Sequence, residues 1–268
     1  MPAAGRVLGA SFLFGLCWAS VSWSQPGTTR LRADSLGQRG DSLMAALETV
    51  RAIEAYRQAL AAAPDDAELL WKAARALSNR TAETPGREGD LPLHEDAVAL
   101  ARRAVATGPN VSRSHTTLAT ALGRYCRWLA HECRIRCAGR VVDMGREAYR
   151  ATRRAIELDP YDPAPFMVLG VYHRDLSTVP LVVKMIAKSF LGGYPPVSLE
   201  ASANYLERAV RLDPGDVTAH LELARTYEEL GRRADARAQI REALAAPVRE
   251  RLDAVEKDEA TKLLGELD

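Results

Sequence analysis

A short phrase ending in proline recurs four times along the chain, and its surroundings recur with it. Ala62-Ala63-Pro64-Asp65, Thr107-Gly108-Pro109-Asn110, Leu158-Asp159-Pro160-Tyr161 and Leu212-Asp213-Pro214-Gly215 each close an apolar-periodic stretch, and each is followed by another. Five residues before the prolines stand Ala59, Ala104, Ala155 and Ala209; twelve before stand Ala52, Ala97, Ala148 and Ser202; eight before stand Tyr56, Ala101, Thr152 and Leu206. Small residues at such intervals let two helices cross closely, and a proline cannot continue a helix, so it fixes a turn to the next one. A unit of two helices cannot bury its own apolar face and must stack on its neighbours.

The first helix of each unit has its own pattern. A bulky residue at position 4, Leu at 7, a small residue at 8 and an aromatic at 11 mark the 34-residue tetratricopeptide unit. Starting at residue 217 the chain gives His220, Leu223, Ala224 and Tyr227, then Ala236, Ile240 and Ala243, with Pro247 one place early. Starts at 163, 112 and 67 give Phe166/Gly170, His115/Ala119 and Leu70/Ala74 at positions 4 and 8, and a weaker unit starts near 33 with Leu36, Gly40 and Leu43. The expectation is an all-α, right-handed tetratricopeptide-type α-solenoid of about five helical hairpins. The charged stretch Arg249–Leu267 is expected to form a C-terminal capping helix. Composition agrees: Ala, Leu, Arg and Glu dominate, and alternating Val, Ile and Thr are nearly absent.

The prolines lie 45, 51 and 54 residues apart instead of 34. The surplus falls between the two helices of hairpins two, three and four. The first insert, around Thr81–Leu91, holds Pro85, Gly86 and Gly89 and predicts a loop; the second, around Leu129–Met144, predicts lengthened helices. The third, residues 177–197, contains an amphipathic stretch Leu181–Leu191, with Val183, Ile186 and Phe190 able to act as a lid over a groove, to lie on a membrane or to meet a protein.

The N-terminus is set apart. Met1–Arg6 carries one positive charge, Val7–Trp23 is apolar and uncharged, and Ser22-Trp23-Ser24 sets small residues before Gln25. This layout predicts a signal peptide over 1–24, or a signal anchor held by residues 7–23, with the repeat domain at 25–268 and an exported, periplasmic or extracellular, location. Cutting there leaves 35 basic and 35 acidic residues, so global charge points to no nucleic-acid partner. Three cysteines remain, Cys126, Cys133 and Cys137, on one helical stripe; they suit small buried residues, a disulfide, or a metal site that lacks a fourth ligand.

The insert pattern carries a family resemblance. From about Leu69 to Leu264 the chain resembles the regulator of microtubule dynamics protein family. The carrying residues are Leu69-Leu70-Trp71 with Ala73-Ala74-Arg75-Ala76, then Pro180, Ile186-Ala187-Lys188 and Phe190 before Pro195-Pro196, then Ala203–Ala209, Asp213-Pro214 and His220–Tyr227. The resemblance implies irregular tetratricopeptide-like repeats and a binding role.

Such an array presents first-helix side chains on its concave face. The inward positions give Trp71, Arg75, Arg113, Arg124, Met167, Arg174 and Arg225 as candidate partner-binding residues. A guanidinium fork suits a carboxylate or a phosphate, while abundant surface arginine can also be merely solvated. Catalytic signatures are missing: the chain has no G-x-S-x-G, no H-E-x-x-H, no phosphate loop and no dinucleotide glycine pattern. His115, His173 and His220 fall at structural positions 4 or 11. The expectation is a non-enzymatic scaffold or adaptor without cofactor or metal, binding a protein or peptide on the extracytoplasmic side of a membrane. The alternative is a carrier of a lipid or small amphiphile, or contact with a membrane surface.

Overall fold

The computed structural model describes residues 26–84, 90–132, 134–179, 184–185, 188–189 and 196–267. Eleven α-helices lie among them: α1 (Pro26–Ala45), α2 (Thr49–Ala62), α3 (Ala67–Glu83), α4 (Asp90–Thr107), α5 (Ser112–Glu132), α6 (Ala138–Leu158), α7 (Pro163–Ser177), α8 (Leu199–Leu212), α9 (Val217–Glu229), α10 (Arg233–Ala245) and α11 (Arg251–Leu267). They pair as five consecutive hairpins, α1/α2 to α9/α10, with α11 closing the end. The all-α solenoid expected from the repeat is the fold observed.

The close crossings fall where the small residues predict them. Ala52, Ala59, Ala97, Ala104, Ala155, Ala209, Ala236 and Ala243 are almost fully buried. At position 8 the crossing is tightest: a Cβ on Gly40 would run into the Tyr56 ring, and one on Gly170 would stand 2.5 Å from Leu206. Ser202, the one polar residue in the small series, donates from Oγ to the Gly170 carbonyl at 2.8 Å, so its burial leaves no orphan.

The turns are also built by a repeated device. Asp66, Asp162 and Asp216 cap the first helices α3, α7 and α9 by accepting from backbone N–H groups one turn on. His115 and His220 each donate from Nε2 to the carbonyl of the preceding proline, Pro109 at 2.8 Å and Pro214 at 3.0 Å. That bond accounts for histidine at position 4 structurally. Arg103 and Arg208, at matching places on second helices, reach back to the carbonyls of Pro64 at 2.7 Å and Pro160 at 3.2 Å. Each hairpin is thereby tied to the turn before it.

Two departures concern lengths. Helix α1 starts at Pro26, seven residues ahead of the repeat register at Ala33, which is itself fully buried. The second insert does lengthen α5 and α6, to 21 residues each, but a short 3-10 turn, Arg134–Cys137, makes the corner. Cys137 is disulfide-bonded and Cys126 is free, partly buried, with its thiol pushed up to about 12 by burial. The signal segment 1–24, Cys133 and the insert residues Val183, Ile186 and Phe190 lie outside the described residues. Lys184, within the third insert, donates to the Ser177 carbonyl at 2.7 Å.

Two glycines separate packing from propensity. Gly170→Val drives a side chain into Leu206 and should cost about 1–3 kcal/mol. Gly123, inside α5, has open space around its missing Cβ, so Gly123→Ala should stabilise by about 0.5–1 kcal/mol. Urea unfolding midpoints shifting in opposite directions would confirm the assignment of the crossing.

Candidate functional site

The first helices α3, α5, α7 and α9 form the inner wall of the solenoid, and α11 runs along it. Helix α11 packs on α9 and α10, and its N-terminal end reaches α3, three hairpins away in the array. Arg75, Arg124, Arg174 and Arg225 therefore do not face an empty groove. Arg75 pairs with Glu250 at 2.9 Å, and the other Glu250 oxygen accepts from the Asn79 amide. Asn79 in turn accepts from Arg124 at 2.9 Å. Arg251 lies 3.7 Å from Glu83, a buried carboxylate that also accepts from the Thr49 hydroxyl. At the other end Arg225 bridges Glu222 at 2.7 Å and Glu259 at 2.5 Å.

Arg174 belongs to the interior of this wall. Its guanidinium forms an ion pair with Glu222 and another with Asp175 at 3.1 Å, and it donates to the Glu222 carbonyl at 3.2 Å. Both Arg174 and Glu222 are buried. Burial alone would raise the Glu222 carboxyl, but Arg174, Arg225 and Arg127 outweigh it and hold the group at about 2. Arg124 is brought down to about 10 by burial and by Arg127, against the pull of Glu256, Glu250 and Glu222. Glu256 is pushed up to about 7 by burial, with Glu222 and Asp216 adding to the effect. The Thr218 hydroxyl, which donates to Glu256 at 2.6 Å, and the Arg124 charge oppose it.

The remaining candidates lie elsewhere. Trp71 is buried, with Arg75, Lys72 and Arg113 at 5.8, 5.8 and 5.7 Å from its ring. Lys72 is neutralised by Asp41 at 2.8 Å and Glu68 at 2.7 Å. Trp71, Arg113, Val111, Lys72 and Glu68 line an open depression of about 500 Å³. Met167 packs into the core between the last two hairpins, against Phe166 and Leu206 clusters, and leaves the arginine network. His173 sits against Tyr172 and Tyr205, its Nδ1 accepting from the Ser198 backbone.

Inward-position counting omits four acids that reach this wall: Glu222, Glu250, Glu256 and Glu259. Glu222 occupies position 6 of the last unit, and Glu250, Glu256 and Glu259 come from the capping segment. The available signal was charge complementarity: a C-terminal stretch carrying Glu250, Glu256 and Glu259 follows an inner wall rich in arginine. Among the described residues no three His, Cys, Asp or Glu are grouped to hold a metal ion, and no helix is long and apolar enough to cross a membrane.

Fold and inner wall together define a tetratricopeptide-repeat solenoid whose last helix reaches back to α3. Its lineage is equally clear: residues 33–268 match the family model described as regulator of microtubule dynamics protein 1-3, and the chain belongs to that family. The match takes in the first hairpin, upstream of Leu69. Regulator of microtubule dynamics protein 1 of Bos taurus is 28% identical over 169 residues, covering 62% of this chain and 51% of that protein. The Mus musculus protein of the same name is 25% identical over 203 residues, covering 75% of this chain and 64% of that protein. The chain thus spans about half to two thirds of the length of the relatives it matches. Among solved structures, a thermophilic tetratricopeptide protein of Thermus thermophilus superposes with a TM-score of 0.62 at 18% identity, covering 86% of this chain and 99% of that one. That likeness bears on the fold alone.

Burial sorts the arginines by consequence. Arg174→Ala leaves Glu222 buried with one partner lost and should destabilise the fold by about 3–5 kcal/mol. Arg75→Ala breaks a pair whose arginine is 40% exposed and should cost about 0–1 kcal/mol. Thermal or urea unfolding of the two variants side by side measures the difference.

Two carboxyls give stability opposite pH dependences. The folded chain holds the Glu256 proton more tightly than the unfolded chain, so that contribution is present below the ordinary carboxylate range and is lost as pH rises through about 7. Glu222 is depressed, so its contribution is present above the ordinary range and is lost as pH falls through about 2. Glu256→Gln should flatten the decline between pH 5 and pH 8 by about 1–3 kcal/mol, read from denaturation at each pH.

Proposed function

We propose that this protein is a non-enzymatic scaffold whose concave wall holds an acidic segment of a protein partner. The tetratricopeptide fold supports binding of a protein or peptide. The observation that carries the finer statement is the pairing of Arg75 with Glu250 and of Arg225 with Glu259. The ligand this wall is seen to hold is an acidic stretch of polypeptide, supplied by the chain itself. A guanidinium binds a carboxylate or a phosphate equally well, and the oxygens these arginines meet here are carboxylates of the chain's own acidic segment. A lipid or amphiphile would ask for an apolar lining, whereas guanidinium and carboxylate groups line the wall described above. The apolar segment 7–23 supports an extracytoplasmic place for this binding, and the Cys137 disulfide accords with an oxidising compartment.

Site-specific photocrosslinking in the source cells tests both statements. A photoreactive residue at exposed Arg113 or Val111, beside the open depression, should yield adducts to an acidic segment of an exported protein. The same residue at exposed Tyr161, on a turn, should not. Adducts confined to position 161, or adducts at 111 and 113 to segments without clustered Asp and Glu, would remove the proposal.

A further inference from the structure

Helix α11 has two unlike halves. The C-terminal half is anchored as a cap: Leu263 and Leu264 pack against the core of the last two hairpins, Leu267 is buried in it, and Arg237 donates to the Leu267 carbonyl at 3.1 Å. The N-terminal half, with the turn before it, is held to the inner wall mainly by charge. Its contacts with the wall are Glu250 with Arg75 and Asn79, Arg251 with Glu83, Glu256 with Thr218, and Glu259 with Arg225, while Lys257 donates to the Leu244 and Ala246 carbonyls at the end of α10. Leu252 and Ala260 are its buried apolar residues.

These charged contacts are of the releasable kind. Arg251 and Glu259 are more than half exposed, and Arg75 is 40% exposed. Pairs with such access to water contribute little each and weaken with salt. Glu256 is half-buried near Glu222, and the Thr218 hydrogen bond and the Arg124 charge only partly offset the cost of desolvating it. A cap needs only the apolar half to cover the last hairpin. One carboxylate, Glu250, reaches Arg75 and Asn79 on α3, 171 positions from Asn79 and well beyond the hairpin that a cap covers.

We infer that the Glu250–Glu259 segment is a displaceable plug, an intramolecular acidic ligand that keeps the concave wall closed until an acidic partner segment replaces it on Arg75 and Arg225. This rests on the proposed concave site and adds its regulation. Because the plug is tethered, it competes at a high effective concentration and suppresses weak ligands while yielding to strong ones.

The test uses the full chain and a labelled synthetic peptide of residues 247–262, read by fluorescence anisotropy. The chain is compared with a Glu250→Ala/Glu259→Ala variant and with that variant also carrying Arg75→Glu. Hydrogen exchange of amides 251–260 is followed in each. The expected result is faster exchange there in the double variant, peptide affinity at least tenfold above that of the unaltered chain, and loss of binding with Arg75→Glu. Equal affinity for the unaltered chain and the double variant would leave the acidic site standing and overturn the plug. Faster exchange without peptide binding would overturn the acidic site itself. Unchanged exchange at 251–260 would make α11 a permanent cap and end the proposal. Exchange of α1–α6 amides, expected to stay constant, separates these outcomes from general unfolding.

Discussion

Everything in this molecule depends on how closely the two helices of a hairpin can approach. At Gly40 and Gly170 there is no room for even one carbon, and at the alanine positions there is room for one. Close approach lets bulky partners such as Tyr56 and Leu206 lie across the opposite backbone and become fully buried. Burial of that kind is the main favourable contribution in a fold whose helices are individually ordinary. Were the crossings looser, the proline turns would no longer meet the arginines and histidines that bind their carbonyls. The offset from one hairpin to the next would then lose its definition.

That offset is what makes an inner wall. Stacked repeats turn by a small angle each, a geometry consistent with the contact of α11 with α3. Residues at ordinary inward positions then find one another across the hollow. Arg124 stands between Glu250, Glu256 and Glu222, and Glu222 stands between Arg174 and Arg225. The charges nearly balance, yet they are not equally placed. Arg174 and Glu222 are buried in the wall and brace it. Arg75, Arg225, Glu250 and Glu259 keep contact with water and can exchange partners.

The fold was legible in the sequence because its determinants are local. Small residues twelve and five places before a proline specify a crossing inside one hairpin, and four such repetitions, with a fifth whose Pro247 comes one place early, give five hairpins. The lengthened α5 and α6 were legible for the same reason. The inward arginines could also be placed by counting, though counting put Met167 among them when its side chain is taken by the core between hairpins. What sequence could not supply is the partner of each arginine. The contact of Asn79 with Glu250 spans 171 positions and exists only because small rotations accumulate over several hairpins. No local pattern encodes that sum, so counting along the sequence did not show that the segment expected to cap the array also pairs with the arginines of the wall.

This occupancy changes what the arginines mean. An open cationic groove would attract any anion, phosphate and carboxylate alike, with little discrimination beyond charge. A groove already filled by its own acidic helix demands more of a ligand, which must match the spacing of Arg75 and Arg225 and also outcompete a tethered rival. Specificity then comes from the plug as much as from the wall. The half-buried Glu256 carboxyl, pushed up to about 7 by desolvation and by Glu222, adds less to the hold of the plug than a well-paired carboxylate would. A segment carrying carboxylates opposite Arg75 and Arg225, with a neutral side chain where Glu256 lies, would be the stronger ligand on physical grounds. Such a segment is what a natural partner of this wall should contain.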